Sequence, residues 1–140
     1  MKPYEVIEHT ADIGIRARGR DLKEIFAHTA QGMFSLVVPP EAVRETESVE
    51  VNVSAEGGWE PLLFAWLREL LYLFDARHFL GKRFEIRLLE ETRLEAEVWG
   101  ETLDLERHPV DKELKAVTYC EFGLRRQPDG VWQADVIFDI

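Results

Sequence analysis

Leu62-Leu63-Phe64-Ala65-Trp66-Leu67-Arg68-Glu69-Leu70-Leu71-Tyr72-Leu73-Phe74 is the stretch whose reading decides the fold. Leu62, Leu63, Trp66, Leu67, Leu70, Leu71 and Phe74 recur at helical spacing and form one wide apolar face. This should be the best-buried helix of the chain. Upstream, Gly57-Gly58 turns the chain, and Pro61 falls where the first helical residue is expected, a position at which a missing N–H breaks no bond. Trp59 is placed to pack on Phe64 as a hydrophobic staple. The helix should run to about His78.

A second helix begins at Asp21, which with Glu24 makes a capping-box-like pair. Leu22, Ile25, Phe26, Thr29, Met33 and Val37 share its inner face, and Pro39-Pro40 ends it. The remaining segments alternate with period two. Tyr4 to His9 reads as a strand, interrupted by Thr10-Ala11-Asp12. Ile13, Ile15 and Ala17 mark its continuation or a second strand, and Val49, Val51 and Val53 mark another. Phe84–Leu88 and Leu94–Val98 flank a turn at Glu90-Glu91-Thr92 and predict a hairpin. Residues 100–114 are polar and aperiodic and read as a loop. Lys115 to Arg125 and Val131 to Asp139 read as strands joined by a tight turn at Pro128-Asp129-Gly130. On the last strand Trp132, Ala134, Val136 and Phe138 share one face, with Gln133, Asp135, Ile137 and Asp139 on the other. This order of elements predicts one α+β domain over residues 1–140, a mixed, mostly antiparallel sheet packed with two main helices.

The chain has 140 residues, an apolar fraction of 46% and a charged fraction of 31%, the balance of a globular domain. Its formal net charge is −10. Residues 1–40 hold five acids and five bases, so the whole excess follows residue 40; residues 41–60 carry six acids against Arg44 alone. Nucleic-acid affinity comes largely from Lys and Arg displacing counterions, so direct nucleic-acid binding is not expected. An acidic surface suits a basic protein partner or a cation, or simply solubility. Cys120 is the only cysteine, which excludes an intrachain disulfide and cysteine metal motifs. With no apolar run of signal-peptide or membrane-span length, a cytoplasmic protein is expected, with no membrane association.

Three places could carry chemistry. His9-Thr10-Ala11-Asp12 puts polar residues at a break between apolar strands, either as a site or as a turn in which Asp12 accepts backbone N–H bonds. Asp139-Ile140 places the main-chain carboxylate beside a side-chain carboxylate. Two such anions suit a hard divalent cation, unless the tail is frayed and solvated. Lys115, at the start of a strand after a long loop, either faces a site or is a surface charge. There is no Gly-rich phosphate loop and no His-x-x-x-His zinc pair. Cys120 has no local nucleophile motif and is expected to be a buried structural residue. Glu95 and Glu97 read as solvated charges.

Together these pieces resemble the archease family over essentially the whole chain. The anchors are His9-Thr10-Ala11-Asp12, Trp66-Leu67-Arg68-Glu69-Leu70-Leu71-Tyr72, Gly100-Glu101, Lys115-Ala116-Val117-Thr118-Tyr119 and Phe138-Asp139-Ile140, in that order. The resemblance implies a non-enzymatic accessory protein that activates the RtcB-class tRNA-splicing RNA ligase, promoting its guanylylation and multiple turnover. The alternative it implies is a chaperone or modulator of RNA-processing enzymes such as tRNA methyltransferases. It further implies a metal site of Asp12, Asp139 and a main-chain oxygen of Ile140. Calcium is the first expectation for the divalent cation, with magnesium and manganese as alternatives. Lys115 matches a functionally important lysine, and His9 and Glu69 match family positions that are candidates to support the metal ligands. Cys120 stands where the family more often has a histidine or a small polar residue. A monomer or a weak homo-oligomer is expected. A metal-dependent hydrolase built on Asp12 and Asp139 would be a third class, but no general base beyond His9 is evident.

Overall fold

The computed structural model describes residues 1–8 and 12–140. Helix α2 (Trp59–Arg77) is the central element, as its apolar face requires. Leu62, Leu63, Trp66, Leu67 and Leu70 are inaccessible to solvent. Helix α1 (Leu22–Val37) packs against it, and the Trp66 Nε1–H donates to the Phe26 carbonyl at 3.1 Å, which satisfies the one polar side-chain atom of the largest fully buried residue.

Around the helices stand seven strands, β1 (Tyr4–Glu8), β2 (Asp12–Gly19), β3 (Glu47–Ser54), β4 (Phe79–Glu90), β5 (Arg93–Thr102), β6 (Ala116–Arg126) and β7 (Trp132–Asp139). They form two sheets, ordered β1-β2-β7-β6 and β3-β5-β4, with every pairing among the described residues antiparallel. The α+β class therefore holds, with the strands divided between two sheets. Ile13, Ile15 and Ala17 from β2, Val51 and Val53 from β3, Leu94, Ala96 and Val98 from β5, and Ala134, Val136 and Phe138 from β7 join the helices in one core. Among the described residues no helix is long and apolar enough to cross a membrane.

Asp21 caps α1 as predicted, its Oδ1 accepting from the Glu24 N–H at 2.8 Å; Glu24 reaches back one residue further than a standard box, to the Arg20 N–H. Helix α2 starts two residues earlier than expected. Gly57 and Gly58 take φ of 106° and 113°, which only glycine adopts easily, so the helix begins at Trp59 and Pro61 is its third residue. The proline still breaks no bond, because the first-turn N–H groups have no helical acceptor. Trp59 packs edge-on against Phe26, at 6.5 Å between centroids, and Phe64 stacks on Tyr119 instead. His78, in the left-handed conformation, ends α2 and donates to the Phe74 carbonyl.

The hairpin is longer than its alternation suggests. Strand β4 starts at Phe79 immediately after α2, and β5 continues through Gly100 to Thr102, within the segment read as loop. The backbones cross so closely there that a Cβ at Gly100 would lie 1.8 Å from the Leu80 carbonyl oxygen, so only glycine fits. Strand β6 carries an irregularity the sequence hides. Thr118 pairs with Ile137 and Gly123 with Asp135, so Tyr119, Cys120, Glu121 and Phe122 all stand opposite Val136. Glu121 there has φ of 54°. The extra residues lift Cys120 off the sheet, and it is exposed rather than buried.

Candidate functional site

Asp12 opens β2 and Asp139 ends β7, and the register pairs them directly. Alternation puts both on the sheet face opposite Ile13 and Phe138, which point into the core. Directly opposed side chains on neighbouring strands have Cβ atoms about 5 Å apart, and like charges there are destabilising. On its other flank Asp139 faces Ala116, which brings no compensating charge. Asp12 Oδ1 is buried and has no hydrogen-bond partner among the described residues. A buried carboxylate oxygen without a donor is costly. Ile140 follows at the exposed end of the strand.

Lys115 is tied to the same place through the backbone. Its N–H donates to the Asp139 carbonyl at 2.8 Å, and its side chain is exposed. The preceding loop is held by a group that sequence reasoning missed. Glu101 is buried, its carboxylate accepting from the Arg44 N–H at 2.6 Å, from Arg107 and from His108 Nε2 at 2.9 Å. The Asp104 N–H donates to His108 Nδ1, so the ring proton sits on Nε2 and is donated to Glu101. Burial pushes the Glu101 carboxyl up, but the Arg44 N–H, His108 and Arg107 outweigh it and hold the pKa at about 2. The Asp111 N–H donates to the Val37 carbonyl and completes the anchoring of the loop that leads to Lys115. The only sequence signal was Gly100-Glu101 itself, since the partners lie 57, 6 and 7 residues away.

Of the remaining candidates, His9 lies outside the described residues. Glu69 is not gathered to the aspartates. It lines a different concavity, with Asn52, Val53, Ser54, Ala65, Arg68 and Tyr72. Glu97 is largely covered and paired with Arg87, so of the two hairpin glutamates it is the less solvated.

Residues 4–140 match the model of the Archease protein family. The chain belongs to the archease family. "Protein archease" of Pyrococcus abyssi is 40% identical, and the match covers all of both chains. "Protein archease" of Methanosarcina acetivorans is 38% identical over 99% of this chain and 97% of that one. The solution structure of Methanobacterium thermoautotrophicum protein 1598 superposes with a TM-score of 0.86 at 33% identity, covering all of both chains. In this archease-family chain the donor set at the aspartate pair is chemically coherent for a cation. Two carboxylates and a nearby main-chain oxygen are hard oxygen donors, which suit calcium, magnesium or manganese. Among the described residues no group of three or more His, Cys, Asp or Glu side chains is gathered for a metal. The aspartate pair supplies only two, and the third donor would be main-chain.

Proposed function

We propose that this chain is a metal-binding accessory protein, not itself a catalyst, that activates an RtcB-class tRNA-splicing RNA ligase in the cytoplasm. The observation that carries the reading is the direct pairing of Asp12 with Asp139, with one Asp12 oxygen buried and unpartnered among the described residues. Family membership supports it. Asp12, Asp139 and the Ile140 main chain would hold one divalent cation, calcium first. The bound cation would neutralise the carboxylates and offer positive charge to anionic groups of the partner site. Asp139 accepts the Lys115 N–H through its own main-chain oxygen, so the lysine and the acids are presented together. The acidic surface would steer docking to a ligase whose RNA groove must be basic, which raises association rate more than affinity.

The test is ligase guanylylation and turnover with Asp12→Ala and Asp139→Ala. Both variants should lose activation, and full activation by both would sink the metal-site reading. Lys115→Ala should also lose it. Binding to the ligase should weaken as salt rises. Recovery of a tRNA methyltransferase instead of a ligase in a pull-down would favour the modulator reading.

A further inference from the structure

Strand β3 has β5 on one side and, among the described residues, no strand on the other. Its register continues past Ser54↔Arg93 into an Ala55 N–H to Thr92 carbonyl bond at 3.0 Å. That bond fixes the phase of the ladder. Val49, Val51 and Val53 direct their N–H and C=O groups at β5, so Ser48, Glu50, Asn52 and Ser54 direct theirs outward. Outside this edge runs an open trough of about 500 Å³, with Asn52, Val53 and Ser54 on one wall and Ala65, Arg68, Glu69 and Tyr72 of α2 on the other. Tyr72 is 62% exposed. Glu69 is half-buried in the trough and takes part in none of the ion pairs among the described residues.

We propose that this trough receives an extended segment of a protein partner, which pairs with the free edge of β3 and sets a lysine or arginine against Glu69. The chemistry on both walls supports that occupant. An unpaired edge offers main-chain donors and acceptors in register, and a groove beside it selects alternate side chains. Residues turned toward α2 would meet the Tyr72 ring, the exposed Arg68 and the Glu69 carboxylate, which has no ion pair among the described residues. Glu45 and Glu50 pair with Arg83 and Arg87, but Glu41, Glu47, Glu56 and Glu60 of residues 41–60 take part in no ion pair among the described residues and favour a basic segment over an acidic one. The surface is distinct from the aspartate pair and does not depend on the ligase reading. It also assigns Glu69 a place as a partner contact rather than as support for metal ligands.

The experiment titrates the ¹⁵N-labelled protein with an eight-residue peptide alternating lysine and valine. A second peptide of the same sequence is methylated at every backbone nitrogen. The first should give saturable amide shifts confined to residues 48–54 and 65–72. The second should fail, because it has no donors for a ladder. Glu69→Gln should weaken binding about fivefold, and less so in high salt. Asn52→Pro should weaken it by a similar factor. The Asn52 N–H points away from β5, so proline there removes no native bond, and the circular dichroism spectrum should be unchanged. If Asn52→Pro does not fold, Glu69→Gln and the methylated peptide still decide. Asp12→Ala should bind the peptide normally, so loss of ligase activation and loss of this surface are separable. No binding to the wild type, equal binding of the methylated peptide, or shifts elsewhere would each overturn the proposal.

Discussion

Two carboxylates of this chain, Glu101 and Asp12, each have an oxygen covered by the fold, and they are treated in opposite ways. Glu101 has every need met, with a backbone N–H, a guanidinium and an imidazole N–H around it. Asp12 faces another aspartate and leaves an oxygen without a donor among the described residues. A fold that can satisfy one acid so completely does not lack the means to satisfy the other. The difference separates a carboxylate that holds the structure from one that the described residues leave unsatisfied. Both converge on Lys115: the first pins the loop that ends there, and the strand partner of the second, Asp139, takes the Lys115 N–H on its main chain.

The comparison breaks first at the aspartates, where the largest effect is expected. Calcium at about 100 times its dissociation constant should stabilise the wild type by about 2.7 kcal/mol, read as a rise in thermal midpoint that a chelator reverses. Asp12→Asn should abolish that rise while leaving the cation-free protein as stable as before or more so, because a like-charge pair is removed. A cation-free variant much less stable than the wild type would show that Asp12 is structural, like Glu101.

Glu101→Ala should do the reverse. It leaves the buried His108 Nε2–H and the partly exposed Arg107 guanidinium without their acceptor, at a cost of about 3 kcal/mol, measured by urea unfolding. The calcium response should survive under conditions where the variant is folded. The same carboxylate gives a pH signature. Its pKa of about 2 lies below the ordinary 4.5, so its stabilisation is complete above about pH 4.5 and drains away as pH falls toward 2. In the wild type the slope of stability with pH over that window should be steep, and in Glu101→Gln it should flatten. An unchanged slope would mean other acids carry the acid sensitivity.

What the sequence disclosed and what it withheld follows the range of the interactions. The helices and the last hairpin were legible, because alternation and caps are local; the placement of Asp12 beside Asp139 was expected only from the family resemblance, and the register pairs the two. The extent of β5 was not legible. Gly100-Glu101-Thr102 is polar, and only the crossing with Leu80 and the distant Arg44 reveals it as strand. Nor was the β6 bulge, since Tyr119-Cys120-Glu121-Phe122 reads as an unbroken strand until β7 is laid beside it. Cys120 was misplaced for that reason. Glu69 matched a family position, but its distance from the aspartates depends on how α2 lies against β3.

The smallest effect belongs to a third acid that lies between the two extremes. Glu24 is compensated like Glu101, accepting first from the Arg20 backbone N–H and then from its guanidinium, and these hold its carboxyl below the usual range. Unlike Glu101 it does so at the surface, where the Arg20 side chain is 79% exposed. Arg20→Ala removes the guanidinium but keeps the backbone donor, so the loss should stay below about 0.5 kcal/mol by urea unfolding. The residual stabilisation should still fade on acidification, because the folded carboxyl remains easier to ionise than the unfolded one. A loss approaching that of Glu101→Ala would show that compensation alone, without burial, sets what an acid is worth in this fold. Burial and compensation together are what make Glu101 structural, and a buried oxygen with no donor among the described residues is what distinguishes Asp12.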